Sequence, residues 1–478
     1  MTAPWPASSR ILLGLVLAGS ASAVALLGAP LLGRGAVLGF AVLGFAAALV
    51  VPIRVVPAIG LLVYALVPYR LMPHLLAAGV APGSVLLVVW AFRRAAAGRR
   101  TGAERPRRGL VVRAVLLLLV LVAVLAWILS PLRSQSALWT VNCVLALVAV
   151  LSVADLSQEA AVLRRAWPVI GSVVGAYAVL NHLLRSNPVY DAVYALNGEV
   201  DKQVWSVYRS TASLGHPILV GLFLACGCVL ALGAFARGSR WWLVAVLLTA
   251  GGLATTSSRG SFFAVGVAVL VGAVVAVAMS RAVLRRFASV LVVGAGAAAV
   301  AVVALPALLE RFGSSEAHGS FVQRTRTYDI VFSAWTQHPL LGTGGGTAAD
   351  AVGDAILSLR YIENWYLQLL LGLGAVGLLV VAALVVALIT TAARDRDLPA
   401  AMLAVTFCTV IATFDADDHA ATLFLLALVV VVVVGGHAQS RPSAEGCSGL
   451  DLLRAGPFGQ RRSARPAGPA KADVGGAR

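Results

Sequence analysis

The longest polar interruption in a very apolar chain is Phe321–Leu379, FVQRTRTYDIVFSAWTQHPLLGTGGGTAADAVGDAILSLRYIENWYLQLLLGLGAVGLL. It carries Arg324, Arg326, Arg360 and Glu363, and it continues directly into an apolar stretch of membrane-spanning length. Irregular backbone with charges survives at membrane depth only where it lies outside the hydrocarbon or lines a wet cavity. The sequence therefore predicts a functional site here, which the rest of the chain holds at one face of a membrane.

Composition places the whole chain in a membrane. Hydrophobic residues make up 60% of the 478 positions and charged residues only 12%, against about 25% charged residues in a soluble domain. At about 20 residues per span, the apolar runs predict an all-α, polytopic membrane helix bundle of about 12 to 14 transmembrane helices. The net charge of +17 would suggest nucleic acid as a partner of a soluble protein. Here the arginines concentrate between apolar runs, so no nucleic acid is expected.

The apolar runs also give the predicted positions of the spans. They are 11–29, 35–51, 53–68, 75–92, 111–130, 137–154, 167–184, 217–236, 241–256, 261–279, 287–308, 364–390, 398–414 and 421–436. The connection at Pro52-Ile53-Arg54 is so short that one kinked or re-entrant element could replace the two spans beside it.

Basic connections predict the orientation, because cytoplasmic loops of membrane proteins are rich in Arg and Lys. Eight arginines lie between Arg93 and Arg113, and a cytoplasmic position for that loop puts both termini in the cytoplasm. Several basic residues then lie outside, against the usual bias: Arg185, Lys202, Arg209, Arg259, Arg311, Arg324, Arg326 and Arg360. Since topology does not account for them, we expect some of them to serve a function on the outer face of the cytoplasmic membrane.

Four regions are predicted along the chain. An N-terminal transmembrane bundle (1–204) precedes a core (205–390) that contains an external loop (309–363). C-terminal spans follow at 391–436. The tail, 437–478, is rich in Gly, Pro, Ser, Ala and Arg and is expected to be disordered on the cytoplasmic face.

Two arginines are candidates for binding an anion. Arg259 lies in a short turn between apolar runs, and Arg324 lies in a predicted surface helix, 321–337. Arginine offers a planar fork that matches phosphate oxygens in pairs, so both could converge on one pyrophosphate. The alternative is that each arginine pairs with a carboxylate or a lipid headgroup, as Arg326 could with Asp329. The glycine run at 342–346 could bring backbone N–H groups to the same anion, although a plain loop is the simpler interpretation.

Three motifs in order resemble the O-antigen ligase and O-antigen polymerase family of bacterial envelope glycosyltransferases: TTSSRGSF, RTRTYDIVFSAWTQHPLLGTGGG and ENWYLQLLLGLGAVGLL. The positions that carry the resemblance are Ser258, Arg259, Arg324, Tyr328, His338, Pro339, Leu340, Gly342, Gly344, Asn364, Tyr366, Leu367 and Gln368. Arg209 with Gly215-His216-Pro217 is similar to an earlier external element of the family. The resemblance covers roughly residues 205–390.

The resemblance implies a C-type glycosyltransferase fold and a glycan donor linked to undecaprenyl pyrophosphate. The glycan passes to an acceptor hydroxyl on a polysaccharide, lipid or wall glycan, without a nucleotide sugar, cofactor or required metal. Arg259 and Arg324 are then expected to act catalytically, because fixed positive charge stabilises the growing charge on a departing pyrophosphate. Substrate-binding roles are expected for eight further residues: Arg209, Arg326, Tyr328, Arg360, Asn364, Tyr366, Gln368 and His338.

Glu363 departs from the family pattern, which has His before Asn-x-Tyr-Leu-Gln. A carboxylate is ionised at neutral pH and can accept a proton from an attacking hydroxyl, so Glu363 is the candidate general base. It could instead orient the acceptor or mark a subgroup with an altered acceptor or lost activity. The substitutes for the base are Asp329, Asp350, Asp354 and His318.

A transporter or flippase of lipid-linked glycan is the rival class, and a non-catalytic binder of the carrier is a third. Transporters typically show inverted repeats and broken helices with charges at the middle of the membrane. This chain gathers its charges between spans at one face, which favours chemistry at the interface.

Overall fold

The computed structural model describes residues 16, 20, 43–67, 80–98, 109–196, 208–277, 279, 281, 283–288, 326–353, 362–414 and 421–436. Within these ranges the chain is helical, without strands. The helices are α1 (Val56–Leu66), α2 (Pro82–Gly98), α3 (Leu110–Leu129), α4 (Arg133–Leu151), α5 (Ser157–Leu184), α6 (Pro188–Leu196), α7 (Pro217–Ala236), α8 (Trp242–Thr256), α9 (Arg259–Val277), α10 (Ala348–Ala351), α11 (Trp365–Arg394), α12 (Leu398–Val410) and α13 (Ala421–Val434). Two 3₁₀ turns, η1 (Ile53–Val55) and η2 (Ile411–Thr413), and further helical stretches at 43–50, 283–288 and 326–335 complete them.

The prediction of an all-α membrane bundle is confirmed. Six described helices are long and apolar enough to cross a membrane: α3, α4, α5, α7, α9 and α11. Shorter apolar helices lie at Ile53–Leu66, Trp242–Thr256, Leu398–Thr413 and Thr422–Val434. The predicted spans at 11–29 and 287–308 lie almost wholly outside the described residues.

The centre of the bundle is formed by helices that are apolar on all sides. Nearly every side chain of α7, α12 and α13 is buried, as expected for helices surrounded by other helices. α12 packs against α9, α7 and α11. The last spans of the chain therefore lie in the middle of the bundle, while the predicted division into four regions stays a prediction.

The bundle has two ends, and each is defined here by the helices that begin or finish there. The "Glu363 end" is where α8 finishes, α9 and α11 begin, and η2 closes α12. There the backbone of Gly260 lies against Thr413, since a Cβ on Gly260 would be 2.1 Å from the Thr413 Oγ1 atom. The hydroxyl of Tyr366, the second residue of α11, donates to the Cys408 carbonyl oxygen at 2.8 Å. The starts of α9 and α11 thus meet around the end of α12.

The "Arg164 end" is the opposite one, where α5 begins, α12 begins and α13 finishes. Buried Arg164 pairs with Asp397 and donates to the Val432 carbonyl oxygen at 3.0 Å. Because the Arg164 charge is paired inside the protein, this residue can lie within α5. The helix therefore begins at Ser157, ten residues before the span predicted at 167–184.

Helix α11 is broken at Gly374, whose φ of 67° and ψ of −170° are not helical. A loop, 338–346, occupies the break. Thr343 N–H donates to the Leu371 carbonyl oxygen at 2.9 Å and Gly344 N–H to the Gly372 carbonyl oxygen at 2.7 Å. On the C-terminal side of the break, Ala375 N–H donates to the Pro339 carbonyl oxygen at 2.9 Å. Backbone groups freed by the break are thus bonded within the protein, as a membrane interior requires.

Candidate active site

The segment 208–216 carries Arg209 to the end of α8. The Arg209 Nε donates to the Thr256 carbonyl oxygen at 2.9 Å, and Ser210 N–H donates to the Thr255 carbonyl oxygen at 3.1 Å. These bonds fix the guanidinium beside the turn that contains Arg259. Two arginines that are fifty positions apart in the sequence are therefore brought to the same helix end.

Asn187 holds this segment in place, and sequence reasoning missed it. Its side-chain Nδ2 donates to Thr211 Oγ1 at 3.1 Å and to the Ala212 carbonyl oxygen at 2.8 Å, while its Oδ1 accepts from the Tyr177 hydroxyl at 2.6 Å. The Asn187 side chain is only 2% exposed. Ala212 has a positive φ of 41°, a conformation that costs energy in a residue with a side chain. Asn187 thus stabilises the backbone turn that follows Arg209.

Helix α6 connects the Asn187 network to the rest of the bundle. Asp191 accepts from the Asn187 N–H at 2.9 Å and so caps the start of α6. Tyr190 donates its hydroxyl to the Leu66 carbonyl oxygen at 2.8 Å. Burial raises the pKa of Tyr190, with Tyr177 adding to the effect, so the hydroxyl keeps its proton and remains a donor at neutral pH. The Arg209 segment is therefore fixed to α5, α6 and α8.

The Ser258-Arg259 turn is tighter than predicted, because α8 continues to Thr256 and α9 starts at Arg259. Ser257 closes α8 in the left-handed conformation, with a φ of 50°. The Ser258 and Ser261 hydroxyls are 2.9 Å apart and hold the first turn of α9. Arg259 is exposed at the N-terminus of that helix. The positive end of the helix dipole lies there too, so a side-chain cation and helix N–H groups favour an anion at the same place.

Glu363 lies directly before α11 and is half-buried. Its neighbours in the predicted motif hold the backbone around it. Asn364 caps α11, its Oδ1 accepting from Tyr366 N–H at 3.0 Å and Leu367 N–H at 3.4 Å. Buried Gln368 donates from Nε2 to the Ile362 carbonyl oxygen at 3.1 Å. The contacts of Asn364, Tyr366 and Gln368 thus position Glu363, and direct substrate binding by these three residues stays a prediction.

The predicted surface helix is helical at 326–335 and is anchored to the start of α11. Val331 is fully buried in a small cluster with Ala348, Ile362 and Leu371. Arg326 and His338 are exposed, and Tyr328 is 45% exposed. His338 N–H bonds to the Trp335 carbonyl oxygen and so ends the helix. His216, the other motif histidine, caps α7 by accepting from Ile218 N–H at 3.3 Å.

The glycine run packs against protein. A Cβ on Gly345 or Gly346 would collide with the Trp139 side chain, and Ser130 Oγ donates to the Thr343 carbonyl oxygen. Since the N–H groups of Thr343 and Gly344 are bonded to α11, the plain-loop interpretation fits better than the anion cradle. These glycines allow the loop to approach α4 and α11 closely.

Some predicted residues lie outside the described part of the chain: Arg324, Arg360, Asp354 and His318. Among the described residues, there is no group of three or more His, Cys, Asp or Glu that could hold a metal ion. The convergence of Arg259 with Arg324 stays a prediction.

Comparison with known families identifies this region. Residues 243–382 match the model of a family described as O-antigen ligase. This part of the chain resembles the O-antigen ligase family. No curated protein matches the chain. The family resemblance drawn from the three motifs is confirmed, and it supports ligase- or polymerase-type glycan transfer, lipid-linked glycan substrates and a multi-pass bacterial membrane protein.

The matched range runs from α8 to the middle of α11, so it includes Arg259, the docked loop and Glu363. Arg209 and Asn187 precede it. Sequence motifs therefore found the arginine at the α9 start and the carboxylate at the α11 start, but they gave no signal for the asparagine that fixes Arg209.

Proposed function

We propose that this protein transfers a glycan from an undecaprenyl-pyrophosphate-linked donor to an acceptor hydroxyl at the outer face of the cytoplasmic membrane. The observation that carries the proposal is that Arg209, Arg259 and Glu363 lie at the same end of the bundle. Cations and a candidate base at the same end of the bundle match the needs of a reaction that releases an anion and takes up a proton.

The proposed step balances as follows. The acceptor hydroxyl oxygen bonds to the anomeric carbon while the bond from that carbon to the pyrophosphate oxygen breaks. The bonding electron pair leaves with undecaprenyl pyrophosphate, and the hydroxyl proton passes to the Glu363 carboxylate. Arg259, Arg209 and Arg324 stabilise the growing charge on the leaving oxygen, an interaction that strengthens towards the transition state.

The remaining motif residues are proposed to set the geometry of the reaction. Asn364 and Gln368 fix the backbone on both sides of Glu363, and Tyr366 ties that backbone to α12. Arg326, Tyr328, Arg360 and His338 are proposed to contact the donor or acceptor glycan. Fixed geometry matters because a reacting group displaced by about 1 Å can cost about 10²-fold in rate.

Transport is the rival function, and the break in α11 is the feature that would favour it. In transporters such a break exposes backbone groups to a substrate. Here the groups at Leu371, Gly372 and Ala375 are bonded to the loop 338–346 instead. The break thus docks a loop, which favours transfer chemistry over passage.

Reconstitution tests the proposal directly. Purified protein in detergent is given undecaprenyl-pyrophosphate-linked glycan and an acceptor glycan, with EDTA present. We expect free undecaprenyl pyrophosphate and an extended acceptor in equal amounts, since the proposed reaction needs neither a membrane compartment nor a metal. Binding of the donor without turnover would support a non-catalytic binder. With the protein placed in lipid vesicles instead of detergent, movement of the donor across the bilayer without transfer would support a transporter.

A further inference from the structure

The helical stretch 326–335 has three different sides. Residues at alternating spacings of four and three share one side of a helix, and the three sides are Thr327, Val331 and Ala334; Asp329, Ser333 and Thr336; and Tyr328, Phe332 and Trp335. The first side is turned to the bundle, where Val331 is fully buried. The second is polar and exposed, and the third is apolar, with Phe332 48% exposed. A helix between protein and water needs only one apolar and one polar side, so the exposed apolar side indicates a third environment.

The apolar side continues into Leu340, which is 67% exposed. Trp335 Nε1 donates to the Pro339 carbonyl oxygen at 3.0 Å and holds this turn against the helix. The Leu340 carbonyl oxygen accepts from Val376 N–H at 3.2 Å. Val376 begins an exposed apolar stripe on α11 that includes Leu379, 70% exposed. The apolar side of the helix therefore adjoins the exposed stripe of a helix that is long enough to cross a membrane.

The break in α11 gives the level of this surface relative to the bilayer. After Gly374, residues 375–394 form a helix of about 20 residues, which is about 30 Å long and matches the hydrocarbon thickness. Its last turn carries Arg394, a residue suited to the headgroups at the Arg164 end. Leu340, which is bonded just past the break, therefore lies where the hydrocarbon meets the headgroups at the Glu363 end.

We propose that Tyr328, Phe332 and Leu340 form a "membrane seat" that is inserted into the phospholipid leaflet at the Glu363 end. An interfacial helix buries its apolar side at the boundary of headgroups and acyl chains and keeps its polar side in water. Aromatic side chains favour the same depth. Because Val331 packs with Ile362 on the bundle side, the membrane seat also holds the residue before Glu363 at a fixed height relative to the bilayer.

Spin labelling of the protein in phospholipid bilayers tests the membrane seat. The four described native cysteines are buried, so Phe332→Cys and Leu340→Cys are labelled separately in a Cys447→Ser background. Collisions of each nitroxide with oxygen, which concentrates in lipid, are compared with collisions with a water-soluble nickel chelate. We expect the oxygen-to-nickel ratio to be several-fold higher at both positions than in the matched control Ser333→Cys, on the polar side of the same helix. Equal ratios at the three positions, or low accessibility of Phe332→Cys and Leu340→Cys to both reagents, would overturn the proposal.

Photo-crosslinking in cells identifies what covers the membrane seat. Phe332→benzoylphenylalanine is irradiated, its adducts are identified by mass, and Ser333→benzoylphenylalanine is the control. We expect phospholipid adducts at position 332 and several-fold fewer at position 333. Adducts with another protein, or with a polyprenyl carrier in place of phospholipid, would overturn the proposal. Neither experiment measures glycan transfer, so its outcome is independent of the proposed function.

Discussion

Arginine is used differently at the two ends of the bundle. At the Arg164 end, Arg164 joins α5 to α12 and α13, and Arg94 joins α2 to α5 through Glu159. At the Glu363 end, Arg259 is exposed, and many of the internal contacts are made by neutral side chains such as Asn187 and Gln368. Arginines are exposed at both ends, so the difference lies in the contacts between helices. At the Arg164 end these contacts include buried charge pairs, and at the Glu363 end they are made largely by neutral side chains.

This difference shows that the role of an arginine can be inferred from its burial and its partners. A buried arginine paired with a carboxylate belongs to the structure, because removing either partner leaves an uncompensated charge. An exposed arginine at a helix N-terminus lies where the dipole disfavours it. An anion bound beside this helix N-terminus would be stabilised by both Arg259 and the helix N–H groups.

Arg259→Ala is expected to produce the largest loss. Removing one preorganised donor to a developing anion lowers turnover by about 10²- to 10³-fold. The reconstituted transfer assay measures the effect, and Arg324→Ala is expected to behave in the same way. Arg394→Ala, which removes an exposed arginine from the Arg164 end, serves as the control and should keep full turnover. Equal turnover in Arg259→Ala and wild type would contradict a role for the exposed arginine of the Glu363 end in transfer.

Glu363→Gln tests the base. The amide keeps the size of the side chain and cannot accept the proton, so turnover should fall by about 10²-fold, with donor binding retained. Asp350→Asn and Asp329→Asn change the exposed carboxylates of the neighbouring segment and should leave turnover intact. A loss in one of these two variants with normal activity in Glu363→Gln would reassign the base.

Asn187→Asp tests whether neutral hydrogen bonds position Arg209. The carboxylate can still accept from Tyr177 but cannot donate to Thr211 or the Ala212 carbonyl oxygen. We expect turnover to fall about tenfold through misplacement of Arg209, with the KM for the donor raised. Asn142→Asp is the matched control, because Asn142 is also buried and its Oδ1 accepts from Ala81 N–H. Equal losses in the two variants would indicate a general effect on folding.

Asp397→Asn should separate stability from activity at the Arg164 end. The amide oxygen can still cap α12 at Ala400 N–H, but Arg164 becomes a buried charge without its partner, which costs about 3 to 5 kcal/mol of folding free energy. The melting temperature should therefore fall in detergent, while turnover per folded molecule stays within about twofold of wild type. A loss of turnover without a loss of stability would place this end in the reaction.

Much of the architecture could be predicted from the sequence, because a membrane span is a local property of composition. The span predicted at 217–236 coincides with α7. The start of α5 was placed too late, since Arg164 and Glu159 look like loop residues until their distant partners are known. The break at Gly374 was also missed, because the backbone groups that it frees bond to a distant loop, 338–346, which the local sequence does not reveal. The candidate site arginines were predicted from their opposition to the charge bias and stay a prediction, whereas Asn187 acts only through its tertiary contacts.

Accessibility of the two ends in intact cells tests the central claim most directly. The four described cysteines are buried, so with Cys447→Ser as background a single new thiol reports its own position. Ala349→Cys lies in exposed α10, beside the start of α11, and Ser239→Cys lies in the exposed α7–α8 turn at the Arg164 end. We predict that an impermeant maleimide labels Ala349→Cys in intact cells and labels Ser239→Cys only after permeabilisation. The reverse pattern would place the Glu363 end in the cytoplasm and contradict glycan transfer on the outer face.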